Sequence, residues 1–168
     1  MIALMVIAVG LLGVAKMQAL AISNTQTASA RAIASIHAAS LASAMHANKA
    51  YWAAGLAPAS FTITGTTVSD STLNGQSTDC TAGPCTPVQL AGFDLKGIPS
   101  AGIDGWGTSL QKQLPGGSAA VACSITVGTL VACTITVSWN EKYIGLNQTT
   151  LNASNQKSTQ NFVLLVEP

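Results

Sequence analysis

The chain has 168 residues, enough for one compact domain with an extension; only 8 % are charged and the formal net charge is +1. That balance leaves no basic patch for nucleic acid and no acidic tail. So little charge among so much Ala, Ser, Thr and Gly is unusual for a cytosolic enzyme and suits a surface that packs on copies of itself or on other subunits.

The first element is "MIALMVIAVGLLGVAKMQALAISNTQ". As a signal peptide it lacks the positive n-region, because no basic residue precedes Lys16. As a membrane span it reaches the needed length of about 20 residues only if Lys16 and Gln18 are tolerated by snorkelling. It also reads as the tip of a longer helix. From Ile2 to about Ala54 there is no proline, the only glycines are Gly10 and Gly13, and good helix formers dominate. A helix of about fifty residues would run roughly 75 Å. A small domain cannot bury that length, so the first half must project into lipid or into a helix bundle. We therefore divide it into a membrane or bundle stalk over 1–22, with Leu4, Ile7, Gly10, Leu11, Leu12 and Gly13 as packing residues, and an amphipathic half over 23–54 that packs on the head. Ile22, Ile33, Ile36, Leu41, Met45, Tyr51 and Trp52 are expected on one broad side, opposite a side of Ser and Ala with Arg31 and Asn48 near its edges. "GLAPAS" at 55–60 ends the helix through Gly55 and Pro58.

Residues 55–168 form the head. "SFTITGTTV" alternates as a strand, with 59–79 read as that strand and a loop. A turn-rich loop holds Cys80 and Cys85. Thr86, Pro87 and Gln89 form a capping-box helix start, and a short helix through Leu90, Phe93 and Leu95 follows. A second helix carries Trp106, Leu110 and Leu114 and stops at "PGG". Next, "VACSITV" at 121–127 is nearly repeated as "VACTITV" at 131–137. Both alternate strictly, the second through Trp139, so they predict a hairpin pivoting at Gly128 with Cys123 opposite Cys133. The stretch 145–160 reads as a surface loop, and "NFVLLVE" at 161–167 as a last strand. The fold class is α+β. Ile33, Ile36, Met45, Trp106, Leu110, Ile125, Ile135 and Trp139 are the expected head core.

Four cysteines suggest an oxidising compartment. Zinc would prefer C-x2-C pairs or nearby histidines. Proximity pairs Cys80 with Cys85, and hairpin register pairs Cys123 with Cys133; each bond is worth roughly 2–3 kcal/mol. No catalytic, cofactor-binding or metal site emerges. His37 and His46 lack the i, i+4 spacing of a metal pair, and no phosphate loop, nucleophile elbow or dinucleotide fingerprint is present. The "NQT" and "NAS" matches to the glycosylation pattern carry little weight.

A long helix with an apolar start and a small disulfide-bonded α+β head resembles the type IV pilins. The residues are more closely similar to the PilV-type minor pilins, the type IV pilus modification proteins. "ALMVIAVGLLGVAKMQ" is similar to that family's apolar stalk, and "AMHANKAYW" to its later helix motif. "CTAGPCTPVQLAGFDL" resembles its cysteine loop running into A-x-x-D, which ends at Asp94. "GWGTSLQKQLPGG" and "TITVSWNE" resemble its W…L…LPGG segment and closing strand. These matches come in order over most of the chain. The family's basic leader, its glycine, and the aromatic and glutamate beyond it have no counterpart, so a trimmed start or a misassigned start codon is expected. The resemblance implies a non-catalytic subunit that helps initiate or cap a type IV pilus. Its partners would be other minor and major pilins, and the inner membrane before assembly. It would be single-pass with its head in the periplasm of a Gram-negative bacterium, and later part of the fibre. No nucleic acid, cofactor or small-molecule substrate is expected. The alternatives are a pseudopilin of a type II secretion system and a membrane-tethered adhesin or binding domain.

Overall fold

The structure is a computed structural model that describes residues 2–124, 130–142 and 157–168. It is α+β: a long N-terminal helix packs on an antiparallel sheet, and two disulfides hold the head. Helix α1 spans Ile2–Ala47, 46 residues and about 69 Å at 1.5 Å per residue. A one-residue break at Asn48 separates it from α2, Lys49–Trp52. Asn48 is buried, and its side-chain amide donates to the Pro87 carbonyl at 2.7 Å. That bond satisfies a polar group which burial would otherwise make costly. The helix ends as its sequence signals require. Gly55 has φ +69°, the Leu56 N–H bonds the Tyr51 carbonyl, and the Gly55 N–H bonds the Trp52 carbonyl. This is the Schellman pattern, in which glycine takes the left-handed position.

Strand β1 (Ser60–Thr64) turns through Gly65 into β2 (Thr67–Val68). The segment after it is not all loop. Asp70 accepts from the Leu73 N–H at 2.9 Å and starts a one-turn helix α3, Ser71–Asn74. Helix α4, Pro87–Lys96, begins at the expected capping box, where the Gln89 side chain accepts from the Thr86 N–H at 2.9 Å. Two-residue strands β3 (Gly97–Ile98) and β4 (Ile103–Asp104) form a small ribbon before α5, Trp106–Gln113. Helix α5 sits close to β1. A Cβ on Gly107 would stand 2.3 Å from the Gly65 carbonyl oxygen, so only glycine fits there.

The main sheet adds β5 (Ser118–Ser124), β6 (Ala132–Lys142) and β7 (Lys157–Val166) in the order β2-β1-β5-β6-β7. The β5–β6 register pairs Val121 with Ile135 and Cys123 with Cys133, as a pivot at position 128 demands. Gly128 itself, with Ile125, Thr126, Val127 and Thr129, lies outside the described residues. The two cysteines are bonded, their Cα atoms 4.0 Å apart; Cys80 and Cys85 are bonded at 5.6 Å. The expected last strand is longer than its apolar run. Residues 157–160, expected in a loop, pair with β6, because Gln160 and Phe162 continue the alternation of Leu164 and Val166.

The core lies between the inner face of this sheet and the helices. Met45, Leu110, Ile135 and Trp139 are buried in it, and Ile33 and Trp106 are partly buried against it. Ile36 is not in the core: it is 66 % exposed, and Ile22 is exposed too. The fully buried apolar residues of α1 at the head are Ala34, Ala38, Leu41 and Met45. On a 3.6-residue helix these four fall about 160° from Ile36. Two alanines at the contact let the helix backbone lie close to the sheet, which the larger isoleucine would prevent.

Candidate functional site

Among the described residues no three His, Cys, Asp or Glu side chains gather as a metal site. The outstanding surface is the side of α1 turned away from the head. Ile7, Leu11, Val14, Ile22 and Ile36 are all exposed. They fall within about 80° of one another on a 3.6-residue helix, and Met17 flanks them. Exposed Ala21, Thr25, Ala28, Ala32 and Ala39 fill the same stripe, and Gln18 is its one amide. The only Asp, Glu, Lys or Arg residues of α1 are Lys16 and Arg31, and both positions fall on other sides. Two of the hydroxyls on the stripe are already satisfied within the helix. Thr25 donates to the Ala21 carbonyl and Ser43 to the Ala39 carbonyl, each at 3.0 Å. Such back-bonded hydroxyls lose little when water leaves. The stripe is therefore apolar, uncharged and cheap to dehydrate over most of the helix.

Gly10 and Gly13 have nothing within 4 Å of a Cβ built on them, so the helix surface there is open to close approach. Leu4 and Leu12 lie in the same helix, and their side chains are outside the described set. Among the described residues no helix is long and apolar enough to cross a membrane.

Two polar clusters fix the inward half of α1. The Trp106 indole N–H of α5 donates to the His37 carbonyl at 2.9 Å and lies 3.0 Å from Ser40 Oγ. Its ring meets the His37 imidazole edge-on, with centroids 5.9 Å apart. Burial pulls the His37 imidazole below its usual 6.5, and a hydrogen bond from the imidazole to the Gln113 side chain offsets part of that. The second cluster joins α1 to β6. Glu141 Oε1 accepts from the Trp139 indole at 3.2 Å and lies 3.5 Å from Arg31 Nε. Neither cluster follows from local periodicity, because Arg31 and Glu141 are 110 residues apart.

Asp94, on α4, is partly buried, and burial pushes its carboxyl up to about 6. In the unfolded chain it loses its proton near 3.8. Asp94 therefore costs the fold nothing below about 3.8, and its penalty builds as pH rises from there to about 6, above which it is fully present. Solvent screening of a partly exposed group holds the effect to about 1 kcal/mol. Asp94→Asn is expected to raise Tm at pH 8 by roughly 2–4 °C and to leave it unchanged near pH 3.5. Thermal scans at the two pH values check this, and an equal rise at both would contradict it.

No family model, no curated protein and no solved structure matches the chain.

Proposed function

We propose that the chain is a non-catalytic minor pilin that helps initiate or cap a type IV pilus. One observation carries the reading: α1 is 46 residues long, and the side turned from the head is an uncharged stripe of exposed Ile, Leu, Val and Ala. Among the described residues, the side chains of α1 buried against the head lie in its C-terminal half, Ala34, Ala38, Leu41 and Met45 foremost. An exposed apolar surface of that length calls for a partner. Small residues and open glycines favour another helix lying close alongside. In this reading the partners are the helices of other minor and major pilins, the stalk rests in the inner membrane before assembly, and the head faces the periplasm. The two disulfides accord with that oxidising compartment. The order of motifs that resembles the PilV-type minor pilins supports the same assignment.

The experiment is pilus counting by electron microscopy in cells whose only copy of the gene is altered. Leu11→Arg places a charge in the stripe, at a cost of roughly 2.5–3.5 kcal/mol if that position lies at membrane depth. Surface pili should fall sharply, with immunoblots showing that the protein still accumulates. Normal pilus numbers with stable Leu11→Arg protein would overturn the reading.

A further inference from the structure

We propose that the cleft at the elbow between α1 and the head binds the headgroup of an ethanolamine-type zwitterionic phospholipid. The inference rests on the reading that the N-terminal part of α1 enters the membrane. The cleft has a volume of about 720 Å³, within the range of roughly 300–1,000 Å³ usual for small-molecule sites. Gln26 and Ala30 of α1 form one wall, and Gln113, Asn140 and Glu141 contribute to the other. Three amides and one carboxylate thus converge on it. The Glu141 side chain is only 14 % exposed, whereas Arg31, 3.5 Å from it, is 60 % exposed. Glu141 is the one charged side chain lining the cleft, and with the three amides it offers an acceptor for an ammonium and donors for a phosphate, the complement of a zwitterion. The ammonium would donate to the Glu141 carboxylate, and the side-chain amides of Gln26, Gln113 and Asn140, which line the cleft, would donate to the phosphate oxygens.

Position supports the lipid over a soluble ligand. Gln26 and Ala30 lie four and eight residues beyond Ile22, where the apolar segment ends. That is about 6 and 12 Å along the helix. The polar layer of a bilayer is roughly 5–8 Å deep on each side, so the lower wall of the cleft stands within it. Choline should be rejected, because a trimethylated nitrogen has no N–H to offer a carboxylate.

The test uses the full chain in dodecylmaltoside micelles, titrated with dihexanoyl-phosphatidylethanolamine and followed by thermal unfolding, since a ligand of the native state raises Tm with concentration. The expected result is a saturable rise. The phosphatidylcholine and phosphatidylglycerol analogues, and free phosphoethanolamine, should each bind at least tenfold more weakly. Glu141→Gln keeps an acceptor for the Trp139 indole and should weaken binding at least tenfold. Ala30→Trp fills the cleft and should abolish binding, which decides the matter if Glu141→Gln does not fold. Equal binding of the choline lipid or the glycerol lipid would overturn the proposal, as would wild-type affinity in Ala30→Trp. Equal binding of free phosphoethanolamine would assign the cleft to a soluble ligand and overturn the lipid. Pilus numbers play no part in this titration, so its failure is separate from failure of the assembly reading. Flotation with phosphatidylethanolamine vesicles checks the membrane premise itself: a chain that does not float removes the proposal.

Discussion

Trp139→Ala is expected to destabilise the head by about 3–5 kcal/mol, the usual cost of removing a buried tryptophan. Trp139 is only 2 % exposed on the inner face of β6, opposite Gln160 of β7. Its loss leaves a cavity under α1 and takes a donor from Glu141, whose carboxylate also holds Arg31. At roughly 2–4 °C per kcal/mol for a chain of this size, Tm should fall by about 6–20 °C. Trp139→Phe retains most of the volume and loses the hydrogen bond, so it should cost much less. Thermal unfolding of both variants in detergent micelles separates the two contributions. A Trp139→Ala protein as stable as the parent would show that the α1–sheet contact does not depend on this side chain.

Ile36→Glu should do the reverse. Ile36 faces away from the head, so the head's stability should change by no more than about 0.5 kcal/mol, as for other exposed positions. Glutamate is a good helix former, so α1 should persist. Yet the charge falls in the middle of the uncharged stripe, where a helix partner would have to bury it unpaired. Cells carrying Ile36→Glu should keep a folded protein and lose most surface pili. Met45→Glu, on the buried side, should instead lose the folded protein. If Ile36→Glu cells are piliated as the parent is, the stripe beside the head is not an assembly surface.

Those two variants mark where the sequence was readable. Trp139 and the β5–β6 register were legible because two near-identical segments alternate strictly, and a two-residue period leaves one choice of face. The α4 start and the α1 end were legible because capping chemistry is local: Thr86 with Gln89, and Gly55 before Pro58. Ile36 was misplaced because hydrophobic periodicity ranks isoleucine above alanine. A helix lying close on a sheet takes the smaller residue at the contact, and the sheet that imposes this is far away in sequence. Asn48 was expected near the polar edge. It is buried because the Pro87 carbonyl, 39 residues on, receives its amide. Asp70 carries a usable local signal, a capping side chain three residues before Leu73. The cleft between Ala30 and Glu141 had no local signal, since its two walls meet only in the folded chain.

The central claim is that the outward stripe of α1 lies against the helices of other pilin subunits. A photo-crosslinking amino acid placed at Ile36 in living cells tests it directly, with the same probe at Thr136, on the opposite face of the sheet, for comparison. The account predicts ultraviolet-dependent adducts with other pilins from position 36, mapping by mass spectrometry to their N-terminal helices, and few or none from position 136. Adducts with pilins from position 136 alone, or none with any pilin from position 36 in piliated cells, would contradict it.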